Sequence, residues 1–131
     1  MYNFSKSSHI KLSSCHRNLQ ELFTEVIKVC DCTVIQGWRS NEEQNEYFRT
    51  GRSKLRGGQS KHNASPSLAV DVVPYPIDWH DYKRFYYFGG LVKGIASSLK
   101  IPIRWGGDWD SDNNFKDQTF HDLPHFELLL K

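Results

Sequence analysis

Three side chains that could bind a metal ion stand where predicted loops meet predicted strands. His62 lies in a long loop, Asp71 lies inside an apolar strand, and His125 lies just before the last strand. A catalytic zinc ion typically takes three His or carboxylate ligands and leaves its fourth position to water. The sequence therefore predicts a zinc site, at which the pKa of a bound water would fall to about 7 and a carbonyl could be polarised.

Asp71 is the most informative of the three residues. An unpaired carboxylate buried in a strand is costly, so it is normally paired with a cation or bound to a metal. A metal is favoured here, and the alternative is a buried ion pair with an arginine such as Arg39. Taken one at a time, His62 and His125 could instead be solvated surface histidines.

Hydrolysis assisted by a metal also needs a carboxylate that accepts and returns a proton. Asp122 is the candidate, because a turn at Pro124 could bring it to the same ion as His125 without making it a ligand. In a regular strand residues i and i+3 face opposite sides, so this assignment depends on the turn. Glu127 is the rival base, and the alternative for Asp122 is a simple turn-forming role.

Four further residues could contact a substrate or support the site. Arg39 could bind a carboxylate or stabilise an oxyanion, or it could be a surface arginine. Ser60 could orient a ligand or substrate through a hydrogen bond, and it lacks the G-x-S-x-G context of a nucleophile. Trp105 and Trp109 could wall a groove, with core packing as the favoured alternative for Trp105.

The segments that must position these residues alternate irregularly between helix and strand patterns. Apolar residues at helical spacing predict three helices, at about 14–30, 41–50 and from 78 or 81 to 99. Short β-branched or apolar runs predict strands at 33–35, 68–73, 101–105 and 126–130. We therefore expect an α+β domain with a small antiparallel sheet packed with about three helices. Residues 51–67 form a long loop, which is often a sign of function.

Length and composition limit the remaining possibilities. A chain of 131 residues with 38% hydrophobic residues fits a single domain, residues 1–131. Seventeen basic and fifteen acidic residues give a net charge of +2, too small to indicate nucleic acid as a partner. No apolar run is long enough for membrane insertion, and the first residues lack a secretory signal. The three cysteines are expected to be free thiols.

Taken together and in this order, the candidate residues resemble a known family. Each motif is weak alone, and the set is specific. It resembles the D-alanyl-D-alanine carboxypeptidase family of zinc peptidases, most closely its phage L-alanyl-D-glutamate endopeptidase endolysins, over roughly residues 33–130. The matching segments are Gly37-Trp38-Arg39-Ser40, Ser60-Lys61-His62, Ala69-Val70-Asp71, Trp105-Gly106-Gly107-Asp108-Trp109 and Asp122-Leu123-Pro124-His125-Phe126-Glu127.

The resemblance implies roles for five residues and a fold. His62, Asp71 and His125 would be the ligands of one zinc ion, Asp122 would be the catalytic base, and Arg39 would position substrate or stabilise an oxyanion. The fold would be the small α+β domain shared with the hedgehog signalling domain.

The chain departs from the family in one spacing. Eight residues separate His62 from Asp71, two more than is usual in the family, and Ser67 stands where the family has glycine. The loop 63–67 is therefore expected to bulge.

The resemblance implies hydrolysis of the bond between L-alanine and D-glutamate in the stem peptide of bacterial peptidoglycan. The alternatives are a D,D-carboxypeptidase or dipeptidase of the same family and a non-catalytic, zinc-stabilised module that binds cell wall. We expect a monomer, held in the cytoplasm of an infected bacterium until its release to the wall, or carried by a virion. A basic loop could attract the carboxylates of the stem peptide, or it could be a solvated face; its residues are Arg49, Arg52, Lys54, Arg56 and Lys61.

Overall fold

A four-stranded antiparallel sheet carries the candidate site residues. The computed structural model describes residues 2–114 and 121–129. The sheet has the strand order β1-β2-β4-β3, and every neighbouring pair is antiparallel. Its strands are β1 (Cys32–Gln36), β2 (Ala69–Pro74), β3 (Ile103–Gly106) and β4 (Asp122–Leu128). The expected α+β class with a small antiparallel sheet is confirmed.

The described residues form four α-helices rather than about three. They are α1 (Lys6–Ser13), α2 (Arg17–Val29), α3 (Asn41–Arg49) and α4 (Tyr82–Leu99), and Lys61–Asn63 adds a single 3₁₀ turn. The sequence pattern missed α1 because this helix buries only Ser8 and Leu12, too few residues to show a period. The Oγ atom of Ser8 accepts a hydrogen bond of 3.0 Å from the Val34 amide, which ties α1 to β1.

One face of the sheet is apolar and is covered by α2 and α4. Side chains alternate between the two faces of a strand, so Val70 and Val72 of β2 lie in the core, as do Phe126 and Leu128 of β4. Asp71, His125 and Glu127 alternate with these apolar residues along the strands, so they belong to the opposite face of the sheet. The apolar core sits on one side of the sheet, and the polar candidates are collected on the other.

Strand β4 begins at Asp122, four residues before the predicted start at Phe126. Trp105 pairs with Phe126, but the next residue, Gly106, pairs with Asp122, so the intervening residues of β4 form a bulge. A side chain at Gly106 would place its Cβ 2.0 Å from the Asp122 carbonyl oxygen, so the bulge requires glycine there. Pro124 lies within the bulge, where it costs no ladder hydrogen bond.

Other sequence expectations are matched closely or fall outside the described residues. Helix α2 begins after an N-cap at His16, within a few residues of the predicted start. All three cysteines are free. None of the described helices is long and apolar enough to cross a bilayer. Leu130, the predicted end of the last strand, lies outside the described residues.

Two glycines of α4 are expected to respond in opposite ways to alanine. A Cβ at Gly89 would lie 2.2 Å from the fully buried Trp105 ring, whereas nothing lies within 4 Å of one at Gly94. Gly89→Ala should therefore lower the free energy of unfolding by about 1–3 kcal/mol through overpacking. Gly94→Ala should raise it by about 0.5–1 kcal/mol, because alanine restricts the unfolded chain. Urea denaturation measures both, and equal effects would contradict the close contact with Trp105.

Candidate metal centre

The three predicted metal ligands lie together on the polar face of the sheet. Asp71 and His125 are directly opposite each other on β2 and β4, and Nδ1 of His125 lies 3.2 Å from Oδ1 of Asp71. His62 reaches the same oxygen from the 3₁₀ turn, with its Nε2 atom 3.3 Å away. One ligand atom from each residue lies within 4.8 Å of the others, which is close enough for a single ion.

Local hydrogen bonds hold His62 in place. Ser60 caps the 3₁₀ turn, because its Oγ atom accepts from the His62 amide at 3.2 Å. The amide of Arg39 donates to the His62 carbonyl at 2.8 Å, and the ring Nδ1 atom lies 2.8 Å from the Gly37 carbonyl. Ser60 therefore acts on the site through the backbone of the turn.

The longer spacing between His62 and Asp71 is taken up by a loop fastened to the helices. Ser67 is fully buried, and its amide donates to the Ser14 carbonyl at 2.9 Å. Its own carbonyl accepts from the His16 amide at 2.8 Å. The extra residues thus leave the sheet, contact the junction between α1 and α2, and return without moving His62 away from Asp71.

The ring nitrogens of both histidines are arranged for a cation. A carbonyl only accepts, so Nδ1 of His62 donates to Gly37, and in the neutral ring it is Nε2 that carries the lone pair. That Nε2 atom is buried, has no hydrogen-bond partner among the described residues and faces a carboxylate oxygen of Asp71. Two hydrogen-bond acceptors in contact repel each other unless a cation lies between them, and the repulsion is costly when one of them is buried. Two imidazoles and one carboxylate are also the donor set that suits zinc, so the residues fit this ion.

Glu127 orients His125 from the other side of its ring. Oε1 of Glu127 lies 2.8 Å from Nε2 of His125, which leaves Nδ1 as the nitrogen turned towards Asp71. Its second oxygen is 3.0 Å from both Lys61 and Arg104. Burial raises the pKa of Glu127, but the hydrogen bonds from His125 and Lys61 outweigh burial and lower this pKa to about 2. So weak a base, already engaged on both oxygens, suits orientation of a ligand better than proton transfer.

The charges of the site reinforce one another. Burial by itself raises the pKa of Asp71, but His125 and His62 hold this pKa well below its usual range. Burial lowers the pKa of His125, yet its bonds to Asp71 and Glu127 raise that pKa to about 9. The centre therefore favours positive charge between its carboxylates, whether a proton or a metal ion supplies it.

Asp122 is close to the centre but outside the ligand set. The bulge in β4 brings its Oδ2 atom to 4.0 Å from Nδ1 of His125, so the two side chains meet despite their spacing of three residues. Its side chain is 38% exposed, which leaves it open to solvent and substrate. Burial and the charge of Asp71 raise the pKa of Asp122. Among the described carboxylates of the centre, this one is best suited to accept a proton.

Arg39 is buried rather than at the surface, with 8% exposure. Its Nη1 atom donates to Oε1 of Gln44 at 2.8 Å, and its guanidinium lies 4.5 Å from the centre of the Tyr47 ring. Nη2 is 3.9 Å from Oδ2 of Asp71, so the ion pair between Arg39 and Asp71 exists beside the three candidate metal ligands. Gln44 was not singled out from the sequence; a glutamine on a polar helix gives no signal that it is buried.

The protein-family model described as phage L-alanyl-D-glutamate peptidase matches residues 1–129, almost the whole chain. The chain belongs to the phage L-alanyl-D-glutamate peptidase family. The match includes α1 and α2, so it extends further towards the N-terminus than the resemblance visible in the motifs.

Two relatives of this chain are informative. The peptidoglycan L-alanyl-D-glutamate endopeptidase CwlK of Bacillus subtilis (strain 168) is 29% identical over 115 residues, which cover 78% of this chain and 63% of CwlK. The chain thus spans less than two thirds of the length of that curated relative. The crystal structure of the Serratia marcescens L-Ala D-Glu endopeptidase ChiX matches with a TM-score of 0.77 and 26% identity, covering 97% of this chain and 90% of ChiX. This likeness confirms the expected D-alanyl-D-alanine-peptidase-like fold.

The candidate metal centre lies in a cleft of about 670 Å³. Besides the centre, Ser60 and Trp109 line the cleft, whereas Trp105 does not. Trp105 is 1% exposed and packs in the core, the role favoured for it from the sequence, so it is not one of the residues that contact a ligand in the cleft. An indole next to Phe126 and Gly89 belongs to the apolar side of the sheet.

The basic loop divides into two groups. Arg52, Lys54 and Lys61 line the cleft. Arg49 instead pairs with Glu46 on α3, and the Arg56 guanidinium lies 4.7 Å from the centre of the Phe48 ring. Only part of the loop is therefore placed to meet a ligand, and the rest is solvated surface.

Removing the charge of Glu127 should weaken zinc binding. Glu127→Gln keeps an oxygen that can accept from His125 but loses the negative charge, so zinc affinity should fall about 10–100-fold. Competition with a chromophoric chelator measures the affinity, and Glu21→Gln on the exposed side of α2 is the matched control. An affinity unchanged in Glu127→Gln, with the fold intact by circular dichroism, would contradict the orienting role.

Proposed function

We propose that this protein is a zinc-dependent endopeptidase that hydrolyses the bond between L-alanine and D-glutamate in the stem peptide of bacterial peptidoglycan. The observation that carries the proposal is the cluster of His62, Asp71 and His125 beside Asp122 in an open cleft. Family membership supports the choice of bond, because CwlK and ChiX are both named for this cleavage.

The residues of the centre would divide the chemistry among them. His62 Nε2, Asp71 Oδ1 and His125 Nδ1 would hold the zinc ion. When bound, zinc supplies Lewis acidity that polarises the scissile carbonyl and lowers the pKa of a water molecule. Asp122 would take the proton of the attacking water and return it to the leaving amine of D-glutamate, which balances the hydrolysis.

Arg39 would act on the negative charge of the substrate. Gln44 and Tyr47 hold its guanidinium, so its remaining donors are oriented before the substrate arrives. Such preorganised donors stabilise an oxyanion or bind a carboxylate without reorganising during the reaction. The cleft also carries Arg52, Lys54 and Lys61, which suits a stem peptide with several carboxylates.

Narrower expectations belong to the same proposal. One zinc ion per chain is supported by three ligand atoms within 4.8 Å of one another. A single peptidase domain is supported by one sheet with one core and by the family match over residues 1–129. The proposal also includes a monomer and action at the cell wall, after release from an infected bacterium or from a virion.

Digestion of purified muropeptides, followed by mass spectrometry of the products, tests this function. We expect a product that begins at D-glutamate, its loss with a chelator, and its return when zinc is added. Asp122→Asn should retain zinc but lose about 10²–10⁴-fold in rate, because the proton acceptor is gone.

Other products would change the assignment. Release of terminal D-alanine alone would indicate a D,D-carboxypeptidase. Intact muropeptides with zinc bound would contradict a hydrolase and favour a module that binds the cell wall.

A second test concerns the shape of the Arg39 guanidinium. Arg39→Lys keeps the charge but loses the planar fork and the contact with Gln44, so kcat/KM should fall about 10–100-fold. Arg56→Lys, which alters an arginine outside the cleft, is the control and should leave kcat/KM unchanged. A wild-type kcat/KM in Arg39→Lys would show that charge alone is needed.

A further inference from the structure

A second cavity of about 560 Å³ adjoins the cleft and has a different character. We call it the aromatic groove; its walls are Trp79, Tyr82, Phe85, Tyr86, Leu123 and Pro124. Asp122 lines both the cleft and the aromatic groove, so the two are continuous at the proposed base. His121 also contributes, and among the described residues that line the groove there is no lysine or arginine.

Two rings of the aromatic groove are largely exposed. Trp79 is 51% exposed and Tyr82 is 61% exposed. Trp79 stacks on Phe85 at 5.6 Å between ring centres with planes 22° apart, so one indole face is supported while half of the side chain stays accessible. A cluster of large exposed apolar side chains beside an active cleft is typical of a ligand surface.

The segment that carries Trp79 is held in a defined shape. The Arg84 guanidinium on α4 donates to the Pro76 carbonyl at 2.7 Å, and the Asp78 carboxylate accepts from the His80 amide at 3.0 Å. The Asp81 side chain caps α4 by accepting from the Arg84 amide. The turn that carries the Trp79 indole is therefore held by hydrogen bonds before a ligand arrives, which lowers the entropy cost of binding.

The chemistry of the proposed substrate matches this division of the surface. In peptidoglycan the L-alanine of the stem peptide is attached to an N-acetylated amino sugar, whereas D-glutamate and the residues after it carry the carboxylates. An extended residue spans about 3.5 Å, so the sugar lies within roughly 10 Å of the scissile bond. A pyranose is uncharged at its ring and has an apolar C–H face that packs against an aromatic ring.

We propose that the aromatic groove binds the amino sugar that carries the stem peptide, with its ring against Trp79 and Tyr82. This inference rests on the proposed function and adds a direction to it. The glycan side of the substrate lies over the aromatic groove, and the carboxylates on the other side of the scissile bond lie among Arg52, Lys54 and Lys61. The catalytic domain thereby recognises the glycan strand itself.

Paired substrates test the proposal. One is a disaccharide that carries the stem peptide, and the other is the same peptide without sugar. Trp79→Ala and Tyr82→Ala should each lower kcat/KM about tenfold on the sugar-bearing substrate and leave the sugar-free peptide within about twofold. Trp79→Phe should restore most of the loss. Tyr87→Ala is the control, because Tyr87 lies on α4 like Tyr82, is 73% exposed and does not line the aromatic groove.

Direct titration of the free disaccharide by calorimetry separates the two proposals. If the wild type cleaves neither substrate, the proposed function fails. In that case, binding of the disaccharide by the wild type and its loss in Trp79→Ala would still support the sugar site in the aromatic groove. If the variants change both substrates equally or neither, the sugar site is refuted while the peptidase stands. If sedimentation shows a wild-type dimer that Trp79→Ala dissociates, the groove is a contact between two copies, and the sugar site is likewise refuted.

Discussion

The carboxylate of Asp71, whose side chain is only 15% exposed, is the group on which the rest of the site depends. It lies in the middle of the sheet, with His62 and His125 at one oxygen and Arg39 at the other. A lone charge there would be costly, so each surrounding group must be held in position to compensate for it. Three features hold these groups in position: the 3₁₀ turn for His62, the register of β2 against β4 for His125, and the contacts of α3 with Arg39. Glu127 extends the same alternation of charges to Lys61 and Arg104.

Much of the frame could be predicted because its elements carry strong local patterns. Helices α2 and α4 bury wide apolar stripes, and the β-branched run of β1 and the apolar run of β2 stand between clear breaks. Helix α1 could not be predicted, because it contacts β1 through a serine rather than through an apolar face. The sequence predicts the start of β4 four residues too late, because Pro124 reads as a break, whereas a bulge in the pairing of β4 with β3 accommodates it.

The candidate site shows the same limit more sharply. His62, Asp71, Asp122 and His125 could be found from their residue types at loop and strand boundaries, and the structure brings them together. Which ring nitrogen of His62 faces the ion could not be predicted from the sequence, because it depends on a contact with the Gly37 carbonyl, 25 residues away. The contacts of Glu127 and the burial of Gln44 are likewise tertiary, and side chains of these types are common on surfaces.

The three proposed ligands are anchored unequally, and this bears on how the centre would gain and lose an ion. Asp71 and His125 belong to paired strands, so their separation changes only if the sheet itself opens. His62 stands on a short turn, held by hydrogen bonds to Gly37 and Arg39 and by the loop that Ser67 fastens to α1 and α2. Opening that turn exposes far less apolar surface than opening the sheet, so it is the least costly exit route. The paired strands fix two of the proposed ligands, and the position of the third depends on hydrogen bonds that reach the ends of the N-terminal helices.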